Sequence, residues 1–166
     1  MSAAKALDLA GLLERFDALG RELFDEGVWP CDVGAVVLGE MADCEGVARA
    51  VVTGTYRHAT RRSYLRATKA GRCARDVDGK YPEHHVWVVL GEGPEAALVD
   101  PNGELRGEPT AQPLAGTEAR YVPLPEGSPW ATLQRDVTAT ELVEEGWDGR
   151  LDEAYARLTA DDGERK

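Results

Sequence analysis

The sequence predicts an α+β domain in which two helices pack on an antiparallel sheet. Helical periodicity dominates the first forty residues, short apolar and β-branched runs follow from Val47 onward, and tight turn sequences join several of those runs as hairpins. The 166 residues suit one domain, with a core over about 6–125, a helical segment over about 137–160 and a frayed tail at 161–166.

Each element has its own signal. From Ala6 to Phe24, Leu9, Leu12, Leu13, Phe16, Leu19 and Leu23 recur at mostly helical spacings opposite Glu14, Arg15, Asp17, Arg21 and Glu22, and Gly27 is the natural stop. Trp29-Pro30 breaks the chain, and Pro30 sits near the first turn of a second helix, Cys31 to about Met41. Gly34 and Gly39 weaken that helix in isolation, so close packing is expected against it. Strands are expected at Val47–Tyr56, His84–Leu90, Ala96–Val99 and Tyr121–Leu124. Gly91-Glu-Gly-Pro94 closes a hairpin, and Asp100-Pro-Asn-Gly103 is a strong turn. Thr138–Glu145 and Leu151–Leu158 read as short helices, and Asp161–Lys166 as a polar end.

Composition narrows the function. No apolar run reaches the ~20 residues of a membrane span. The N-terminal stretch is broken by Asp8 and lacks a small-residue cleavage site, so the protein reads as cytoplasmic. Cys31, Cys44 and Cys73 form no CxxC pair, which argues against a disulfide framework and a structural zinc site and leaves reduced thiols. The net charge of -11 disfavours nucleic acid and anionic membranes as partners. Against that background, Arg57 to Arg75 holds seven basic residues and no acidic one.

The chemistry-bearing residues fall in an order that matters. Cys31 opens a helix, and Arg49 follows 18 residues later within Gly46-Val-Ala-Arg-Ala-Val-Val-Thr-Gly54. His85-Val-Trp-Val lies on the next major strand, and Leu98-Val-Asp100-Pro101 ends the strand after it. These fragments, over Trp29 to Pro101, resemble the papain-like and transglutaminase-like superfamily. The resemblance implies a nucleophile helix packed on an antiparallel sheet and a Cys31–His85–Asp100 triad. It implies thiol-dependent acyl transfer, and nothing in the sequence requires a metal or organic cofactor.

Physical chemistry explains why such residues belong together. A thiol is a weak nucleophile until ionised, and the amide donors of a helix N-terminus favour the thiolate. An imidazole takes the proton and returns it to the leaving group, while a carboxylate on its other nitrogen fixes tautomer and orientation. Trp29 and Trp87 are the aromatic candidates for substrate contact, with packing in the core as the alternative for Trp87. Arg61, Arg62 and Arg66 are the candidates for gripping an anionic substrate or an acidic partner protein, against the plainer reading of a solvated helix face.

Alternatives stand beside these assignments. Cys44, in Asp43-Cys44-Glu45, is a rival nucleophile but leaves no room for a helix before the next strand, and reads as loop or packing. His84 alternates to the opposite face from His85. His58 has no evident partner and reads as surface, and Asp100 before Pro101 could be a turn residue only. No Gln precedes Cys31, so the resemblance leaves an oxyanion hole to backbone amides near Cys31 and another donor. Val89 stands where many relatives carry Glu.

The expected substrate is a small molecule, a peptide or an acyl group on a carrier protein. Hydrolysis by a peptidase, amidase or deamidase is the first expectation, and transfer or cyclisation of carrier-bound thioesters the second. A degenerate binding module and a nucleic-acid-binding domain are the rivals from other classes.

Overall fold

A computed structural model of the protein describes residues 8–24, 27, 29–63, 82–101, 103 and 109–125, with 144, 149, 150, 153 and 156 nearer the C-terminus, and only the backbone at 82–84. Two helices, α1 (Leu9–Leu23) and α2 (Cys31–Cys44), precede five strands: β1 (Arg49–Arg57), β2 (Pro82–Leu90), β3 (Ala97–Asp100), β4 (Thr110–Pro113) and β5 (Tyr121–Pro123). The strands form one sheet in the order β4-β3-β2-β1-β5, with every pair antiparallel. The α+β expectation therefore holds. Among the described residues no helix is long and apolar enough to cross a membrane.

Helix α1 starts where Asp8 caps it, its Oδ1 accepting from the Gly11 amide at 2.9 Å. Leu12, Phe16, Leu19 and Gly20 form its buried stripe. Gly20 is there because the Trp29 indole occupies the space beside it: a Cβ would lie 2.2 Å from Nε1. That indole stacks on Phe16 at 4.7 Å and donates Nε1–H to the Phe16 carbonyl at 3.1 Å. Trp29 is fully buried, with Phe24 against its edge at 5.2 Å. It was expected to face substrate, and instead it is the joint between the two helices.

Helix α2 runs past the expected Met41 to Cys44, which is therefore an exposed helical residue rather than part of a loop. Pro30 is its N-cap and Cys31 its first residue. The close packing expected at its glycines is present. A Cβ on Gly34 would lie 2.8 Å from Pro101 Cβ, so the first turn of α2 rests on the end of β3. At its other end Arg49 reaches back from β1 to Glu40 at 2.9 Å and Asp43 at 3.2 Å.

Strand alternation then sorts the sheet into two faces. Val86, Val88, Leu90 and Val99 join the core with α1 and α2. Trp87 and Leu98 point the other way, into a second buried cluster with Tyr56 and Tyr121. Arg49 pairs with Leu90 and Arg57 with Pro82, so β1 and β2 are paired along their full length. β4 was not anticipated, and the strand expected at Tyr121 ends at Pro123. The two expected C-terminal helices lie almost wholly outside the described residues, although 144, 153 and 156 within them are helical; the expected frayed tail also lies outside.

Candidate active site

Three separate elements bring Cys31, His85 and Asp100 together. Asp100 is the last residue of β3, on the same face as Leu98, and its side chain is fully buried. It is a strand residue rather than only a turn residue. His85 lies on β2, on the face shared with Trp87, and is 5% exposed. Its Nε2 is 2.8 Å from Asp100 Oδ2. The Cys31 side chain lies close enough to this imidazole to raise its proton affinity. Nε2 is committed to Asp100, which leaves Nδ1 as the second ring nitrogen.

The electrostatics follow from this placement. Burial disfavours a charged imidazole, but the hydrogen bond that Asp100 accepts and the interactions with Asp100 and Cys31 outweigh it. His85 is pushed up to about 10 from its ordinary 6.5. The surroundings thus favour the protonated ring. Cys31 itself is half-buried at the first position of a 14-residue helix, the place where helix amides point outward.

Aromatic rings enclose the histidine. Trp87 lies beside it at 6.3 Å with the planes 30° apart, and Tyr56 presents an edge at 6.1 Å. Trp87, expected to contact substrate, is only 1% exposed and is a wall for the imidazole. Gly54, opposite His85 in the register, leaves room for this arrangement: a Cβ there would meet Val122 O at 2.2 Å and the Trp87 ring at 2.5 Å.

Tyr121 escaped sequence reasoning. From β5 its hydroxyl donates to Asp100 Oδ2 at 2.8 Å, the same oxygen that His85 uses. The available signal was a tyrosine in an apolar strand, whose buried hydroxyl needs a partner. Which partner depends on a contact between strands that are not neighbours in the sheet.

The other candidates are more dispersed. His58, expected on the surface, is 5% exposed, with Nδ1 3.0 Å from Ser63 Oγ and its ring against Tyr56 at 4.9 Å. Arg61 and Arg62 are exposed just after β1, and Arg66 lies outside the described residues, as does Cys73. Among the described residues no group of three or more His, Cys, Asp or Glu could hold a metal ion. No family model, curated protein or solved structure matches the chain.

Proposed function

We propose that this protein is a thiol-dependent acyl-transfer enzyme of the papain-like and transglutaminase-like kind, with Cys31 as nucleophile. The observation that carries the reading is the buried His85–Asp100 hydrogen bond with Cys31, at a helix start, close to the same imidazole. A buried Asp–His pair alone has structural uses. A thiol at a helix N-terminus close to that imidazole has a specific chemical one.

Cys31 sulfur attacks the carbonyl carbon of an amide or thioester, forming the S–C bond. The tetrahedral oxyanion is held by backbone amides near Cys31. Collapse breaks the C–N or C–S bond, and the proton on His85 goes to the departing amine or thiol. His85, now neutral, takes a proton from water or an amine as it attacks the thioester. The product leaves, Cys31 returns as thiolate, and the imidazolium is restored. Asp100 holds the ring in register throughout.

Hydrolysis of an amide is the favoured outcome, because a resident imidazolium gives most to a leaving group that must be protonated. A second reading, transfer or cyclisation on carrier-bound thioesters, draws on exposed Arg61 and Arg62, which suit a phosphate or an acidic surface.

The test is competitive alkylation by iodoacetamide at neutral pH, followed by peptide mapping. Of the two described thiols Cys44 is the more exposed, so between them accessibility alone favours Cys44. Preferential labelling of Cys31 is expected, and intact mass after incubation with candidate acyl donors then identifies the acyl group. Labelling that follows exposure points to an inert binding module.

A further inference from the structure

Two donors meet on one oxygen of Asp100. His85 Nε2 and the Tyr121 hydroxyl each lie 2.8 Å from Oδ2, and the carboxylate they share has no exposed surface. A carboxylate oxygen has two lone-pair directions, so the two bonds are compatible and together fix the position of that oxygen. Each bond to Oδ2 resists rotation of the carboxylate about its Cβ–Cγ bond. With two, a rotation that serves one bond strains the other.

Tyr121 is itself tightly held. It is 2% exposed, packs edge-on against Trp87 at 5.3 Å and Tyr56 at 5.0 Å, and pairs with Tyr56 across β1 and β5. Its amide donates to Thr117 O at 2.9 Å, and the preceding carbonyl, of Arg120, accepts from the Arg57 amide at 2.8 Å. The hydroxyl is thus carried on a fixed ring and a fixed strand. It comes from the edge strand beyond β1, two strands away from the histidine it influences.

We propose that Tyr121 is a positioning residue of the candidate site: by donating to Asp100 Oδ2 it fixes the carboxylate, and through it the His85 imidazole that faces Cys31. This rests on the acyl-transfer reading above. A buried tyrosine hydroxyl needs some acceptor in any case, and what separates the proposal from simple satisfaction is that the acceptor is the oxygen orienting the histidine.

The experiment uses the full chain and needs no substrate. Tyr121→Phe keeps the ring and its packing and removes only the hydroxyl. Cys31 alkylation by iodoacetamide is followed from pH 5 to 10, with the His85 ring resonance titrated by NMR from pH 5 to above 11. The variant is expected to slow Cys31 alkylation about tenfold at pH 6 and to move the His85 midpoint down by about one unit, the scale of a hydrogen bond to a charged group. In an Asp100→Asn background the same change should add nothing, because the two act through one carboxylate.

Wild-type alkylation and His85 profiles in Tyr121→Phe, with only a lowered melting temperature, overturn the proposal and leave the triad standing. A wild-type protein whose Cys31 reacts no faster than Cys44 sinks the triad reading itself, and the proposal with it. Should the Phe variant not fold, wild-type NMR decides: a magnetisation-transfer contact between the Tyr121 hydroxyl proton and the His85 ring is expected, and its absence is equally fatal.

Discussion

At Asp100 a fully buried carboxylate meets a histidine and a tyrosine, and a mutation there separates positioning from packing. Asp100→Asn keeps size and turn propensity but offers the imidazole an amide that favours the wrong tautomer. Turnover should fall by a large factor, on the order of the 10⁴ seen for the same change in a Ser-His-Asp triad, with substrate binding little altered. A rate within a few-fold of wild type removes Asp100 from the site. Cys31→Ala should abolish acyl transfer with the fold intact, whereas Cys44→Ala and Cys73→Ala should retain it; the reverse pattern makes Cys44 the nucleophile. His85 also links stability to pH. Below its ordinary 6.5 both folded and unfolded chains carry the proton, so its contribution is complete. As pH rises toward about 10 only the folded chain still holds the proton, and the contribution is lost. The melting-temperature advantage of wild type over Asp100→Asn should therefore shrink between pH 7 and 10, and a constant gap contradicts the paired imidazolium.

The glycines of α2 provide the test at the scale of elements. Gly34→Ala places a Cβ 2.8 Å from Pro101 Cβ and 3.0 Å from Trp29 Cβ, both held in packed surroundings. The first turn must move off the end of β3, taking Cys31 with it. A loss of about 1–3 kcal/mol is expected by chemical denaturation, together with loss of selective Cys31 labelling. Gly39→Ala meets Arg49 Cδ at 3.1 Å, a flexible side chain, and should cost less and leave labelling unchanged. Equal effects at the two positions show that the α2 start is not what seats the thiol. These elements also show how much the sequence disclosed. Period-2 alternation set His84 and His85 on opposite faces and put Trp87 on that of His85, because a strand's faces are a local property; the choice of His85 came from the His-x-Trp resemblance. The length of α2 was understated because Asp43-Cys44-Glu45 looks polar, yet its backbone still continues the helix to Cys44. β4, Thr-Ala-Gln-Pro, is mostly exposed and lacks the apolar run that marks a strand, so it is defined only by pairing with β3. Trp29 and Tyr121 were opaque for the same reason: a ring's burial and a hydroxyl's partner depend on residues far along the chain.

Across the whole molecule, charge is distributed against its own average. The net charge is -11, yet Arg57 to Arg75 contains no acidic residue. Once an acyl donor is identified, neutralising Arg61, Arg62 and Arg66 to Gln should raise the Michaelis constant more than it lowers turnover, and the difference should fade at high salt. Kinetics indifferent to both changes make the segment a solvated face.

The strand order β4-β3-β2-β1-β5 has a further consequence, and it concerns time. During synthesis Cys31, His85 and Asp100 are made before Tyr121, and β5 must return across the sheet to pair with β1. A nascent chain can thus carry its thiol, its imidazole and its carboxylate while the strand that steadies the carboxylate has yet to be made. On the assignment proposed for Tyr121, the nucleophile is armed last. Reactivity becomes a report that the chain has closed, and an unfinished molecule carries its thiol through the cell with the safety still on.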